Sequence, residues 1–273
     1  MSYFKNISRR KFIWGMSCTC GVSLVLPSCA DVAMSDRKQI KIFSDDYLYS
    51  KTFPAYENFK SQTKLITGTN ESQKIIDIGL RIKDGINVYY ANRGEKDPTL
   101  NFQWEFILVD DDQTKNAWCM PGGKIAFYSG ILPIAKNDNG IASIMGHEIA
   151  HAVARHSSER MSTALLVDAG QYALERWILG QPLPNFSNQL RAYGLDLPFN
   201  RKQESEADYM GIIFSNLAGF NIDESYKIWE RMQKESGSGP AEFFSTHPAP
   251  KNRIKKLKEW IPSVRSKYPP IKV

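Results

Sequence analysis

His147-Glu148-Ile149-Ala150-His151 constrains this chain more than any other stretch. Residues four apart share one face of a helix, so two imidazoles at this spacing can grip a single metal ion. Glu148, one step on from His147, can reach a metal-bound water without being a ligand itself. Ile144, Met145, Gly146, Ile149, Ala150, Ala152 and Val153 around the pair are apolar or small, which predicts a buried helix. Burying a His-Glu-His set is costly unless the groups are paired or hold a metal. The fold must therefore be built around this helix.

A catalytic zinc usually takes three protein ligands and keeps one position open. His156 and His247 are the remaining histidines, and carboxylates are the alternative. In Arg201-Lys202-Gln203-Glu204-Ser205-Glu206-Ala207-Asp208, Glu204 and Asp208 lie four apart on one helix face. Glu206 is two steps from Glu204, a rotation of about 200°, and points away. Either Glu204 or Asp208 suits the third ligand, and the other can orient a ligating imidazole by a hydrogen bond. A charged helix start with acids near its N-terminus would look similar, because the helix dipole favours it. His156 reads as structural.

The rest of the chain predicts a mostly helical α+β fold with a small sheet. A one-sided stripe of Ile75, Ile78, Ile82 and Ile86 predicts a helix over 72–92, after another over 54–66. Alternation predicts a strand over 101–110, and shorter strands follow over 115–120 and 124–128 across the Pro121-Gly122-Gly123 turn. Asp110-Asp111-Asp112 reads as a solvated turn. From Ser129 onward helices are expected over 129–136, 139–157, 160–179, 202–218, 223–236 and 249–260, with a proline-bearing loop over 180–200. The expected organisation is a signal peptide over 1–28, a linker over 29–52 and one catalytic domain over 53–273.

Residues 1–28 read as an address label. A basic start, Lys5 to Lys11, precedes an uncharged apolar run to Leu26 and then small residues. Ser8-Arg9-Arg10-Lys11-Phe12-Ile13 looks like a twin-arginine export signal. Leu26-Pro27-Ser28-Cys29 looks like a lipobox that would lipidate Cys29, with cleavage after Ala30 or a mitochondrial transit peptide as alternatives. The expectation is an exported bacterial envelope protein, a periplasm-facing lipoprotein held by the outer membrane rather than the inner. Beyond the leader no uncharged apolar run approaches a membrane span; the longest, from Met161 to Leu179, is broken by Asp168, Glu175 and Arg176. With Cys29 lipidated, Cys119 would have no internal disulfide partner. The net charge of +6 falls to +2 once the four basic residues of the leader are set aside, which argues against a nucleic-acid partner.

Four groups of residues resemble a known family when taken in order. They are Asn116-Ala117 with Pro121-Gly122-Gly123; Gly146-His147-Glu148-Ile149-Ala150-His151 with Arg155-His156; Glu204-x-x-Ala207-Asp208-x-x-Gly211; and Thr246-His247-Pro248 with Arg253-Ile254. Together they resemble the HtpX-, BepA- and LoiP-like zinc metallopeptidases, metallopeptidase family 48. The resemblance implies a gluzincin-type domain with the sheet beside the His147–His151 helix. It implies one zinc held by His147, His151 and Glu204, with Asp208 as the orienting acid and Glu148 as the general base. His247 would stabilise the oxyanion or instead occupy the open zinc position. The strand at Asn116 and Ala117 would pair with an extended substrate. Arg253 would pair with a buried acid and position the last segment. The implied activity is an endopeptidase acting on misfolded or misassembled envelope proteins, with a non-catalytic or self-inhibited, chaperone-like zinc protein as the alternative. The likeness is to short soluble or lipid-anchored members, without the membrane helices of HtpX or the tetratricopeptide array of BepA.

Overall fold

The computed structural model describes residues 28–166, 200–235, 243, 247 and 252–271. The leader up to residue 27, the loop over 180–199 and the end of the helix expected over 160–179 lie outside the described residues.

The segment read as a linker is structured. β1 (Ser28–Asp31) and β2 (Lys38–Lys41) form an antiparallel hairpin, and α1 (Asp45–Gln62) follows, capped by Ser44 Oγ on the Tyr47 amide. Polar, locally unpatterned sequence hid this hairpin, because its partners are distant. Val32 is buried, Gln39 Nε2 donates to Ala154 O at 3.0 Å, and the Ile42 amide donates to Ser162 Oγ at 3.1 Å. Cys29, the residue expected to carry lipid, lies exposed in β1 opposite Ile40.

β3 (Leu65–Ile66) leads into α2 (Asn70–Arg93), which starts at a Thr69–Ser72 capping box and ends at Gly94, in the left-handed region at φ +64°. Its isoleucine stripe at 75, 78, 82 and 86 is buried as the spacing predicts. β4 (Glu105–Val109), β5 (Ala117–Met120) and β6 (Lys124–Tyr128) complete a four-stranded sheet ordered β3-β4-β6-β5. β4 and β6 are parallel, and the other pairs are antiparallel. One sheet face, with Phe106, Leu108, Ile125, Phe127 and Ala117, joins the core beneath α2. The other is covered by α1, whose Tyr56 and Phe59 pack edge-on against Trp118, while Glu105 pairs with Lys60 and Lys124.

After a short 3-10 turn and α3 (Leu132–Ala135) comes the metal-motif helix, α4 (Asp138–Val153), capped by Asn137. It packs against β5 and crosses α5 (Arg201–Leu217), itself opened by an Asn200–Gln203 capping box. The crossing is backbone to backbone. A Cβ on Gly146 would stand 2.8 Å from Gly211 O, and one on Gly211 would stand 2.8 Å from the His147 amide nitrogen. Glycine at both positions lets the two motif helices touch, which brings their side chains within reach of one metal ion. α6 (Glu224–Glu235) and α7 (Arg253–Lys267) close the core from the far side. The fold is the mostly helical α+β arrangement expected, with the sheet beside the motif helix.

Candidate metal centre

α4 presents His147, Glu148 and His151, and α5 presents Glu204 and Asp208 one turn apart; all five are buried. His147 Nε2 and His151 Nε2 lie 3.1 Å apart. Glu204 Oε2 is 3.5 Å from His147 Nε2, and Glu204 Oε1 is 3.3 Å from His151 Nε2. His247 joins them, with Nδ1 3.1 Å from Glu204 Oε1 and 3.3 Å from His147 Nε2. One donor atom from each of the four lies within 4.8 Å of every other. Ligands about 2.0–2.1 Å from a tetrahedral zinc stand about 3.3–3.4 Å from one another, so this donor set fits the ion in spacing and in chemistry.

The surroundings tune each group. Burial pushes the His151 imidazole well below its usual range, which keeps it neutral and able to donate a lone pair. For His147, burial and the Arg253 charge oppose protonation, but contacts with Asp208 and Glu204 outweigh them and hold it at about 9. Burial also works against ionised Glu204, yet the His247 and Arg253 charges keep it well below the carboxylate range. Burial raises the Glu148 carboxyl, as suits a base that must take a proton near neutrality. Among the described residues Glu148 Oε1 accepts no hydrogen bond, and His247 Nε2 faces it as an ion-pair partner at 3.3 Å.

Asp208 Oδ1 stands 3.1 Å from His147 Nδ1, the geometry of a carboxylate orienting a ligating imidazole. Arg253 is buried and more central than a positioning role for the last segment implied. Its Nη1 donates to Glu204 Oε2 at 2.9 Å, its Nη2 to Asp208 Oδ1 at 2.6 Å, and its guanidinium lies 3.5 Å over the Trp229 ring. Ala117 opens β5, the end strand of the sheet, with Asn116 just before it, and β5 packs against α4. The Cys119 thiol in that strand is raised by burial and by the Glu148 charge. Ala117 is fully buried and its amide donates to Asn116 Oδ1 at 2.9 Å.

His156 and Glu206 were underread from sequence. α4 ends at Val153, and Arg155 takes a left-handed φ of +57° that turns the chain back. His156 therefore does not continue the helix; its Nδ1 lies 2.9 Å from His151 Nδ1 and its Nε2 lies 3.0 Å from Glu206 Oε2. Burial opposes ionised Glu206, but hydrogen bonds from His156 and Arg37 hold it at about 2. The Arg155-His156 pair beside the motif was the available signal. Glu206 does face away from the donor set, as its helical phase predicts.

A model of Peptidase family M48 matches residues 82–261. The chain belongs to this family. It is 40% identical over 171 residues to the mitochondrial metalloendopeptidase OMA1 of Schizosaccharomyces pombe, covering 61% of this chain and 49% of that protein. It is 38% identical over 186 residues to the OMA1 of Saccharomyces cerevisiae, 63% of this chain and 53% of the other. It is 27% identical over 207 residues to the beta-barrel assembly-enhancing protease of Escherichia coli, 71% of this chain and 40% of that one. The chain thus spans about half the length of the curated relatives it matches, or less.

These relatives correct the location expected from the leader. Those 40%, 38% and 37% identical are mitochondrial by name, so a bacterial outer-membrane lipoprotein does not stand. The physical reason is that a basic, acid-free, apolar leader reads alike for bacterial export and for organelle import. Among the described residues, no helix is long and apolar enough to cross a membrane.

Proposed function

We propose that this chain is a zinc-dependent endopeptidase, with His147, His151 and Glu204 holding one zinc and Glu148 acting as general base. The convergence of these three donors beside the buried Glu148 carboxyl carries the reading. Zinc bound there would acidify water and polarise the scissile carbonyl. Glu148 would take the proton on its carboxylate and return it to the leaving amine. Asp208 holds the His147 ring, and Arg253 holds both acids. β5 would pair with an extended substrate through main-chain hydrogen bonds, once Asn116 releases the Ala117 amide. The substrates would be misfolded or misassembled proteins. The names of the relatives, a metalloendopeptidase and a beta-barrel assembly-enhancing protease, support this quality-control role.

His247 favours a second reading, a self-blocked state. Its Nδ1 stands among the donors, where a substrate carbonyl or the attacking water would have to enter. The first reading has His247 swing out and serve the oxyanion. The test takes the full chain, Glu148→Gln and His247→Ala, measuring zinc content and casein cleavage. One zinc in each, with cleavage by the parent and none by Glu148→Gln, is expected. Faster cleavage by His247→Ala marks self-blocking, and slower cleavage marks the oxyanion role. No zinc in the parent refutes the proposal.

A further inference from the structure

Arg37, Glu206 and His156 form a line of buried or half-buried polar groups that ends on His151. Arg37 leaves the β1–β2 hairpin and donates to Glu206 through Nε at 2.7 Å and Nη2 at 2.8 Å. Glu206 Oε2 lies 3.0 Å from His156 Nε2, and His156 Nδ1 lies 2.9 Å from His151 Nδ1. Only one arrangement of protons serves a metal ligand. With His151 Nε2 turned to the donor cluster, its Nδ1 carries the hydrogen and donates to His156 Nδ1. His156 then carries its own hydrogen on Nε2 and donates to the Glu206 carboxylate. The carboxylate fixes that tautomer, because an acceptor-only group at Nε2 requires the hydrogen there. The Arg37 fork in turn fixes the carboxylate in two directions.

We propose that Glu206 is a positioning residue for the ligand His151, acting through His156, and that Arg37 of the hairpin holds this relay in register. The inference rests on the zinc reading above. It gives each ligating imidazole its own acid: Asp208 directly for His147, and Glu206 at one remove for His151. It also gives the hairpin a role in metal binding, although the hairpin precedes the residues matched to the family. Groups that orient metal-ligating histidines typically change metal affinity by about 10–100-fold when removed.

The test uses the full chain and zinc alone. Zinc affinity is measured by chelator competition, geometry by the visible spectrum of the cobalt-loaded protein, and folding by the thermal midpoint of the metal-free protein. Glu206→Gln is expected to bind zinc about 10–100-fold more weakly and to alter the cobalt spectrum. Glu159→Gln is the comparison. Glu159 pairs with the same guanidinium and accepts from Gln203 Nε2 at 2.8 Å, so its loss weakens the hairpin's hold while leaving the relay in place. It is expected to lower the midpoint without moving zinc affinity or the spectrum. Equal zinc affinity in Glu206→Gln and the parent, or equal losses in both variants, would overturn the inference. Should Glu206→Gln not fold, His156→Asn removes the middle link and leaves Arg37–Glu206 intact, and the same outcomes apply. A parent that takes up no zinc overturns the zinc reading itself, whereas a parent that binds zinc beside an unaltered variant overturns the relay alone.

Discussion

Gly211→Ala tests whether the α4–α5 crossing sets the spacing of the donors. The added Cβ would lie 2.8 Å from the His147 amide nitrogen and 3.0 Å from both His147 Cα and Gly146 C. Every one of these atoms is backbone, so no side chain can swing aside. Ordinary contact needs about 3.5 Å or more, so the helices must part by about 0.7 Å at the crossing. Overpacking of this kind costs about 1–3 kcal/mol, which in a domain of this size lowers the thermal midpoint by about 2–12 °C. The displacement also reaches the site, because Glu204 on one helix faces His147 and His151 on the other at 3.5 and 3.3 Å. Zinc affinity should fall together with the midpoint. Gly85→Ala is the control: its Cβ would meet neighbours at 3.3 Å, so it needs only a few tenths of an ångström and does not touch the donors. Thermal denaturation and chelator competition on both variants decide the matter. A Gly211→Ala protein as stable and as metal-avid as the parent would refute the argument that backbone contact sets the donor spacing.

Glu148→Gln should lower peptide cleavage by about 10²–10⁴-fold while zinc content stays at the parent level, read by metal analysis beside a casein assay. Arg253→Met leaves Glu204 and Asp208 buried without their shared cation, so the metal-free midpoint should drop by the equivalent of about 3–5 kcal/mol. Zinc supplies a replacement charge, so added zinc should narrow that gap; an equal gap with and without zinc would count against it. Glu105 gives a pH dependence. Burial raises its carboxyl, but Lys60 and Lys124 outweigh that and hold it below 4.5. Its folded value is depressed, so its stabilisation is present above about pH 4.5 and is lost as pH falls through the folded value. Glu105→Gln should therefore lose less stability than the parent on acidification below that point, measured as thermal midpoints across the series.

Elements with their own periodicity were legible from sequence. α2 follows from the isoleucine stripe, β6 runs over Lys124–Tyr128 as expected, and α4 and α5 begin within a residue of the predicted starts. The His147–His151 and Glu204–Asp208 pairs were legible because four-residue spacing on a helix is a local fact, whereas the choice of Glu204 over Asp208 came from the family resemblance. What depends on distant partners was not legible. β2 is Lys-Gln-Ile-Lys, whose burial comes from Ala154 and from the elements around it rather than from any pattern of its own. Helical phase showed that Glu206 leaves the donor set, but its partner Arg37 stands 169 residues earlier. The helix expected over 139–157 ends at Val153 because a single left-handed residue, Arg155, breaks it, and no propensity marks arginine for that conformation.

That break explains why the segment before the family match belongs to the site. A non-glycine residue in the left-handed region costs about 1–2 kcal/mol and persists only where its surroundings hold it. Arg155 is held by Asp45 at the start of α1, through Nε at 2.9 Å and Nη2 at 2.8 Å. The helix end it creates leaves carbonyls without helical partners, and Gln39 of β2 donates to the one at Ala154. Arg37 of the same hairpin holds Glu206, whose Oε2 lies 3.0 Å from His156 Nε2. Three contacts from residues 37–45 thus converge on the turn that aims His156 at His151. The two motif helices bring the donors together through their glycine crossing, and the hairpin with α1 holds the turn that follows the second ligand.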